Sequence, residues 1–366
     1  MHGPTLHPHP KGTLVSTTMR HPMVPAVPPR FVEDIYTPEE IDILFGIVRR
    51  GGPWRLIAAQ HFSSAEEYMA VSGPKNRDLD RKLELSDLLT PTFRGYFGNY
   101  GIPLEGAAHE LCYNRKLLDM IKDMHGAKYA APNSYLFNVR APAHSYDAGH
   151  FDSPSWRGMN KFNTPIWLSS VMAKSGLFEQ WELRSGQVIA LFYDSDVDGG
   201  FTYWPEGPDR PPARFAAPFR NSGLVTHNEK MFHRGEASGP RHKRSIPGLQ
   251  LDSTIAGAGD DQWVIRNADE EIARYHDSEM RFLFHYGAYV FEDLADAKRY
   301  FEHTDDLTLD TALRMLSDDL RRRGVQFDES SHPMHDSEFV KILTRTYDMA
   351  PGSYPADAPL DLIGAV

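Results

Sequence analysis

Residues 134–154 read SYLFNVRAPAHSYDAGHFDSP and join an apolar strand pattern to the motif His150-Phe151-Asp152. In an extended chain, side chains two residues apart project from the same face, so the imidazole of His150 and the carboxylate of Asp152 can bind one metal ion. A second His-x-Asp, His303-Thr304-Asp305, lies in an acidic region with a helical pattern. Residues two apart on a helix point about 200° away from each other, and we interpret this copy as a solvated helix end.

Residues that follow the His150-x-Asp152 motif provide a candidate third metal ligand and a candidate cation for binding a carboxylate. The run MFHRGE contains His233, and Arg244 follows 11 residues later, where we predict that another strand begins. Two histidines and one carboxylate form the facial triad of non-haem Fe(II) oxygenases, which leaves three coordination positions open. An arginine on a neighbouring strand can then bind the distal carboxylate of a chelating 2-oxo acid through a bidentate ion pair.

This order of residues resembles the Fe(II)/2-oxoglutarate-dependent dioxygenases, in particular prolyl-hydroxylase-like and phytanoyl-hydroxylase-like members. The resemblance covers about residues 130–255 and includes the strand and loop that lead into the motif. It implies a double-stranded β-helix (jelly roll), Fe(II) bound by His150, Asp152 and His233, and 2-oxoglutarate and O₂ as co-substrates. It also implies that Arg244 binds the distal carboxylate of 2-oxoglutarate.

Alternatives to two of these residues lie nearby. His227 precedes His233 by six residues, and Arg241 precedes Arg244 by three. The family spacing favours His233 and Arg244 in both cases.

The sequence departs from the family pattern beyond the arginine. Many members have a serine two positions later, where this chain has Ile246. We therefore consider Tyr135 or Thr164 as the second residue that binds the 2-oxoglutarate carboxylate. Trp156 and Arg157 directly follow the metal motif and are candidates for substrate binding, with packing in the core as the alternative.

The pattern along the chain predicts four segments. Residues 1–30 are rich in Pro and His and are expected to be a flexible arm. Residues 31–130 are predicted to be a helical N-terminal part that packs on the barrel, and residues 131–255 the double-stranded β-helix catalytic core. Residues 256–366 are predicted to be a mostly helical C-terminal extension. The fold class is therefore a mainly β core with flanking N-terminal and C-terminal α-helices.

Capping residues and apolar stripes predict the individual helices. Thr37, Pro38 and Glu40 form a capping box at the start of the first helix. Further helices are predicted over 111–124, ended by Gly126, over 272–290, over 309–320, ended by Gly324, and over 339–347. Short runs between turn residues predict the strands: YLFNV, PIWLSSVM, GQVIALFY, FTYW, GLVTHN, MFHRGE and SIPGLQL.

Composition excludes several classes of protein. The 366 residues carry a formal net charge of −11, which repels nucleic acid and anionic membranes. No apolar run approaches the length of a transmembrane helix. The single cysteine, Cys112, cannot form an intrachain disulfide, and no secretory signal is evident, so we predict a cytoplasmic location.

Other motifs carry less information. Residues 194–199 imitate the start of a calcium loop, but Pro205 stands where the last ligand belongs, so we interpret them as a charged turn. Cys112 is interpreted as a small buried residue. No phosphate-binding glycine loop or serine-hydrolase motif is found.

Together these features predict an enzyme that hydroxylates, or otherwise oxidises, an aliphatic C–H of a small organic molecule, with succinate and CO₂ as co-products. A cupin-like metal enzyme that does not use 2-oxoglutarate and a non-enzymatic ligand-binding jelly roll are the alternatives. The amphipathic C-terminal helices are expected to pack either on the barrel or in a homodimer.

Overall fold

A computed structural model describes residues 23–72, 82–145, 147–195, 198–259 and 261–355. Most of the predicted flexible arm, residues 1–22, lies outside this part of the chain. Within the described part, Met23 is fully buried in an apolar cluster and Arg30 begins a strand. The end of the predicted arm is therefore packed against the rest of the protein.

The described residues form strands and helices throughout the chain. The strands are β1 (Arg30–Val32), β2 (Trp54–Leu56), β3 (Thr92–Asn99), β4 (Ile102–Pro103), β5 (Tyr129–Arg140), β6 (Ser185–Tyr193), β7 (Phe201–Tyr203), β8 (Ala213–Phe215), β9 (Phe219–Thr226), β10 (His233–Gly235), β11 (Thr254–Gly257), β12 (Gln262–Asn267), β13 (Glu270–His276) and β14 (Arg281–Phe291). The α-helices are α1 (Pro38–Arg50), α2 (Ile57–His61), α3 (Ala65–Val71), α4 (His109–Cys112), α5 (Arg115–His125), α6 (Ile166–Ser175), α7 (Leu294–Phe301), α8 (Leu309–Arg322) and α9 (Ser337–Thr346). None of these helices is long and apolar enough to cross a membrane.

The strands of the described residues form two antiparallel sheets. The large sheet has the strand order β1-β9-β6-β14-β5-β3-β2-β11-β12-β13, and β4 pairs with β3. The small sheet has the order β10-β7-β8. It is extended by one bridge between residues 143 and 238 and another between residues 150 and 233. An apolar cluster joins β6 and β9 of the large sheet to β7 and β8 of the small one, so the two sheets pack face to face.

The two faces of the large sheet carry different residues because side chains alternate along a strand. On β5, Tyr135, Phe137 and Val139 belong to the main apolar core, which also includes α1 and α5. Leu136 and Arg140, on the opposite face, line a cavity between the sheets. The sheet thus separates the main apolar core from a cavity that both polar and apolar side chains line.

The capping box of the first predicted helix and the glycine that ends the second are confirmed, but the predicted helix over 111–124 is divided into α4 and α5 at residues 113–114. Thr37 accepts a hydrogen bond from the backbone N–H of Glu40, and the Glu40 carboxylate accepts one from Thr37, which starts α1. Asn114 caps α5, and Gly126 ends it at φ +62°. Helices α3, α6, α8 and α9 contribute to a second apolar core.

Three predicted elements are wrong. The predicted strand PIWLSSVM, residues 165–172, is instead most of α6, which is buried on nearly every side and so lacks an amphipathic pattern. The predicted helix over 272–290 is instead β13 and β14, because β14 is buried on both faces and its apolar run does not alternate clearly. The run SIPGLQL forms turns. Strands and helices both occur in 256–355, so this extension is not mostly helical.

Candidate metal centre and its cavity

A cavity of about 300 Å³ lies between the two sheets. It contains all three predicted metal ligands, His150, Asp152 and His233. One ligand atom from each residue lies within 4.8 Å of the other two. The structure therefore brings together residues that are up to 83 positions apart in the chain.

Backbone pairing between two segments positions the three ligands. The N–H of His150 donates to the carbonyl of His233 at 2.9 Å, and the N–H of His233 donates to the carbonyl of His150 at 3.0 Å. The N–H of Asp152 donates to the carbonyl of Asn228 at 3.1 Å. Gly149 permits this close approach, because a Cβ on it would lie 2.7 Å from the His233 carbonyl and its φ is +82°.

The ligand atoms converge on one point. Nε2 of His150 lies 3.5 Å from Oδ1 of Asp152, and Nε2 of His233 lies 3.7 Å from the same oxygen. The two imidazole rings are 4.6 Å apart between centroids. Two imidazole nitrogens and one carboxylate oxygen are the donor set that non-haem Fe(II) sites use, so these residues fit such an ion.

Hydrogen bonding and the local electrostatics place His233 and Asp152 in the protonation state that a metal requires. Nδ1 of His233 lies 2.9 Å from the carbonyl of Met231, which accepts a hydrogen bond from the Nδ1–H and so favours the tautomer with the lone pair on Nε2. Burial lowers the pKa of His233 to about 4, although Asp152 opposes this effect. Burial raises the pKa of Asp152, but His233 and His150 outweigh it and hold that pKa well below its usual range.

The alternative distal ligand, His227, lies elsewhere. Its ring is buried, stacks edge-on against His125 at 5.4 Å, and does not line the cavity. Burial lowers its pKa to about 3. The geometry therefore groups His233, rather than His227, with the His150-x-Asp152 motif.

The predicted 2-oxoglutarate anchor, Arg244, does not line the cavity. No strand begins there; Arg244 lies half-buried in a turn-rich segment after β10. The alternative, Arg241, is largely exposed and lies 3.8 Å from Asp198. The anchoring role of Arg244 stays a prediction from spacing that its position in the fold does not favour.

A different arginine, Arg281 on β14, lines the cavity. It is buried, its Nε donates to the carbonyl of Gly199 at 2.9 Å, and it pairs across the sheet with Arg140. Burial, followed by the charge of Arg140, lowers the pKa of Arg281 to about 10, so it remains protonated at neutral pH. Arg140 contacts Asp147 at 3.9 Å, so the residues that line this end of the cavity include two cations and one carboxylate.

Sequence spacing missed Arg281 because it follows His233 by 48 residues. The strands β11–β13 are inserted between β10 and β14 and displace β14 along the chain. The signal available in the sequence was the alternation in RFLFH, which places Arg281, Leu283 and His285 on one face.

The other four residues predicted to bind co-substrate or substrate also lie away from the cavity lining. Tyr135 is on the core face of β5, where its hydroxyl lies 3.2 Å from that of Tyr36. Thr164 is buried beside Asn163, which accepts its hydroxyl proton at 3.0 Å. Trp156 is fully buried in the second apolar core, and Arg157 forms a two-pronged ion pair with Asp305.

Two further titratable groups, the half-buried His285 and the buried Glu229, also line the cavity. Burial lowers the pKa of His285 to about 4, although Asp152 is near enough to oppose the shift. Burial raises the pKa of Glu229 well above its ordinary value, and the carboxylates of Glu182 and Asp152 add to this effect. Sequence reasoning identified neither residue, because neither belongs to a recognisable motif.

Comparison with known proteins gives structural matches only. No protein-family model and no curated protein matches this chain. Its structure is similar to that of a prolyl hydroxylase in complex with a hypoxia inducible factor oxygen degradation domain peptide fragment from Trichoplax adhaerens. That match has 8% identity, a TM-score of 0.37, and covers 76% of this chain and 89% of the other.

Two further structures are similar over 72% of this chain. One is an oxidoreductase of the 2OG-Fe(II) oxygenase family from Burkholderia pseudomallei, with 10% identity, 86% of that chain covered and a TM-score of 0.37. The other is HygX from Streptomyces hygroscopicus with nickel, 2-oxoglutarate and hygromycin B bound, with 9% identity, 83% covered and a TM-score of 0.33. The function proposed below rests on the residues of the cavity and not on these matches.

Proposed function

We propose that the protein is a non-haem Fe(II)- and 2-oxoglutarate-dependent oxygenase that hydroxylates, or otherwise oxidises, an aliphatic C–H of a small organic molecule. The observation that carries this proposal is the convergence of His150, Asp152 and His233 in a cavity that Arg281 also lines. Metal ligands of this type together with a buried arginine are what a chelating 2-oxo acid requires.

The order of the strands supports a double-stranded β-helix as the scaffold. Strands β9-β6-β14-β5 are adjacent in the large sheet and pack on β10-β7-β8, which the His150 segment extends. This arrangement is that of an eight-stranded jelly roll, in which two sheets enclose the site. The strands β11–β13 are then an insertion between its last two strands.

The metal would be held by Nε2 of His150, Nε2 of His233 and a carboxylate oxygen of Asp152. The chemistry supplied at this site by Fe(II), when bound, is the O₂-dependent oxidation of a C–H bond coupled to conversion of 2-oxoglutarate to succinate and CO₂. The hydrogen bond from His233 to Met231 orients one ligand ring, and Phe201 stacks on that ring at 5.5 Å. These contacts fix the ligand geometry before any ion enters.

Arg281 is the residue that we propose to bind the distal carboxylate of 2-oxoglutarate. Its Nε is engaged by Gly199, so the guanidinium is held in one orientation with N–H groups left for a ligand. The neighbouring Arg140 adds positive charge. The apolar side chains of Leu136, Ile189 and Leu283 line the same cavity and exclude water from the reacting atoms.

A cupin-like enzyme that binds metal without a 2-oxo acid has less support, because it gives no role to the buried Arg281 beside the triad. A non-enzymatic binding module likewise leaves the convergence of three metal ligands without a role.

Anaerobic equilibrium dialysis against Fe(II) tests the metal centre. We expect one equivalent in the wild type and none in His150→Ala, Asp152→Ala or His233→Ala, because each change removes one of three donors. His227→Ala is the matched control and should bind one equivalent. Full binding in His233→Ala together with loss in His227→Ala would contradict the assignment.

A further inference from the structure

We propose that Arg94 and Lys161 form a subsite for a carboxylate group of the substrate, on the side of the cavity away from Arg281. This inference rests on the proposed function, in which Arg281 binds the distal carboxylate of 2-oxoglutarate. It assigns the substrate to the class of small organic acids. Both residues line the same cavity as the metal ligands.

Arg94 is held in place by neutral groups. Its Nε donates to the side-chain oxygen of Asn138 at 2.9 Å, and its Nη1 lies 3.4 Å from Nε2 of His61. Burial, followed by the charges of Arg94 and Lys161, lowers the pKa of His61 to about 3, so the ring is neutral. Within the described residues, no carboxylate pairs with this guanidinium.

Lys161 is positioned in the same way. Its ammonium donates to the side chain of Asn99 and lies 4.9 Å from the ring centre of Tyr96 and 5.6 Å from that of Tyr100. Aromatic faces attract a cation without neutralising it. Among the residues that the structure describes, Lys161 also has no carboxylate partner.

Two cations that lack a counter-ion in a partly buried site repel each other. Burial, followed by the charge of Arg94, lowers the pKa of Lys161 to about 8, which shows the cost of this arrangement. An oxyanion between the two groups would relieve the repulsion and accept hydrogen bonds from both. The chain as a whole has a net charge of −11, so an excess of basic residues does not explain two cations without a carboxylate partner in one cavity.

The strand register separates this subsite from Arg281. Arg94 on β3 pairs with Asn138 on β5, which pairs with Leu283 on β14. Two strand spacings of about 4.8 Å place the backbone of Arg94 about 10 Å from that of Leu283. Arg281 lies on β14 itself, one pleat beyond Leu283. The cavity therefore has space for a substrate carboxylate at one side and for 2-oxoglutarate at the other.

Isothermal titration calorimetry under anaerobic conditions tests this proposal. The protein is loaded with Fe(II) and saturating 2-oxoglutarate, so that Arg281 already binds the co-substrate. It is titrated with butanoate, hexanoate, octanoate and 4-phenylbutanoate, each compared with its primary amide. We expect at least one carboxylate to bind tenfold or more tightly than its amide.

Arg94→Gln and Lys161→Met should each lower the affinity for that carboxylate by about tenfold or more, because each removes a charged hydrogen bond. The affinity for the matching amide should not change. Arg115→Gln, at an exposed site on α5, is the control and should bind as the wild type does. The affinity for 2-oxoglutarate should change less than twofold in all three variants.

The proposal is overturned if the wild type shows no preference for any carboxylate, or if both cavity variants retain it. A loss of 2-oxoglutarate binding in Arg94→Gln would also overturn it, because Arg94 would then bind 2-oxoglutarate rather than the substrate. Failure of the proposed function is a separate result, namely no 2-oxoglutarate binding in the wild type. In that event the same titrations without 2-oxoglutarate still test whether Arg94 and Lys161 select carboxylates.

Discussion

Replacing Arg281 by glutamine should weaken 2-oxoglutarate binding far more than Fe(II) binding. The guanidinium is buried, and its Nε is fixed by the carbonyl of Gly199. Truncating one partner of a buried, hydrogen-bonded charge pair costs about 2–5 kcal/mol. At about 1.4 kcal/mol per tenfold, the affinity for 2-oxoglutarate should fall by about 30-fold to several thousandfold.

The assay is anaerobic titration of the Fe(II)-loaded protein with 2-oxoglutarate, followed by the visible absorption of the chelate. Arg281→Lys should recover part of the affinity, because an ammonium keeps the charge but not the two-pronged geometry. Thermal unfolding of each variant separates loss of the site from loss of the fold, since Arg281 also binds the Gly199 backbone.

Arg244→Gln is the matched comparison, because sequence spacing assigns the same role to Arg244. The structure places Arg244 outside the cavity lining, so we expect little change in this variant. A folded Arg281→Gln protein that binds 2-oxoglutarate like the wild type would refute the reasoning. If Arg244→Gln lost the affinity instead, the assignment from spacing would be correct.

Three further predictions concern stability. Glu229→Gln should gain stability relative to the wild type as the pH rises from 5 to 8, because burial raises the pKa of Glu229 well above 4.5. The stability that the protonated carboxyl contributes is complete below pH 4.5 and is lost as the pH rises through the folded-state pKa, by at most about 1.4 kcal/mol per pH unit. Urea unfolding at several pH values measures the difference, and a constant difference would contradict the prediction. Met23→Ala should lower the free energy of unfolding by about 2–5 kcal/mol, since Met23 is fully buried; no change would mean that this segment does not pack as described. Gly223→Ala should cost about 1–3 kcal/mol, because its Cβ would lie 1.9 Å from the Ile189 carbonyl, whereas Gly106→Ala, with nothing within 4 Å, should be tolerated. Equal melting temperatures for these two glycine variants would argue against the close pairing of β6 and β9.

Local rules were sufficient where one signal decided the structure. The capping box at Thr37 and the left-handed glycine at Gly126 depend only on neighbouring residues, and both are present as predicted. The same holds for His150 and Asp152, because the period of a strand alone places them on one face.

Rules based on spacing and periodicity were less informative where the chain contains an insertion or a fully buried element. Arg244 stands at the family distance from His233, but β11–β13 move the strand that lines the cavity to residues 281–291. The α6 helix and β14 are buried on most sides, so apolar residues occupy every position and the period that distinguishes helix from strand disappears. The cationic pair Arg94 and Lys161 comes from separate segments that only the folded chain brings to one cavity.

The most direct test of the central claim is to titrate the wild-type protein anaerobically with Fe(II) and then with 2-oxoglutarate. We expect one equivalent of Fe(II) to bind, followed by a weak visible charge-transfer absorption that saturates at one equivalent of 2-oxoglutarate. Admission of O₂ should then bleach this absorption and release succinate. Stoichiometric Fe(II) binding without any absorption or succinate would contradict the account and would favour a cupin-like metal enzyme.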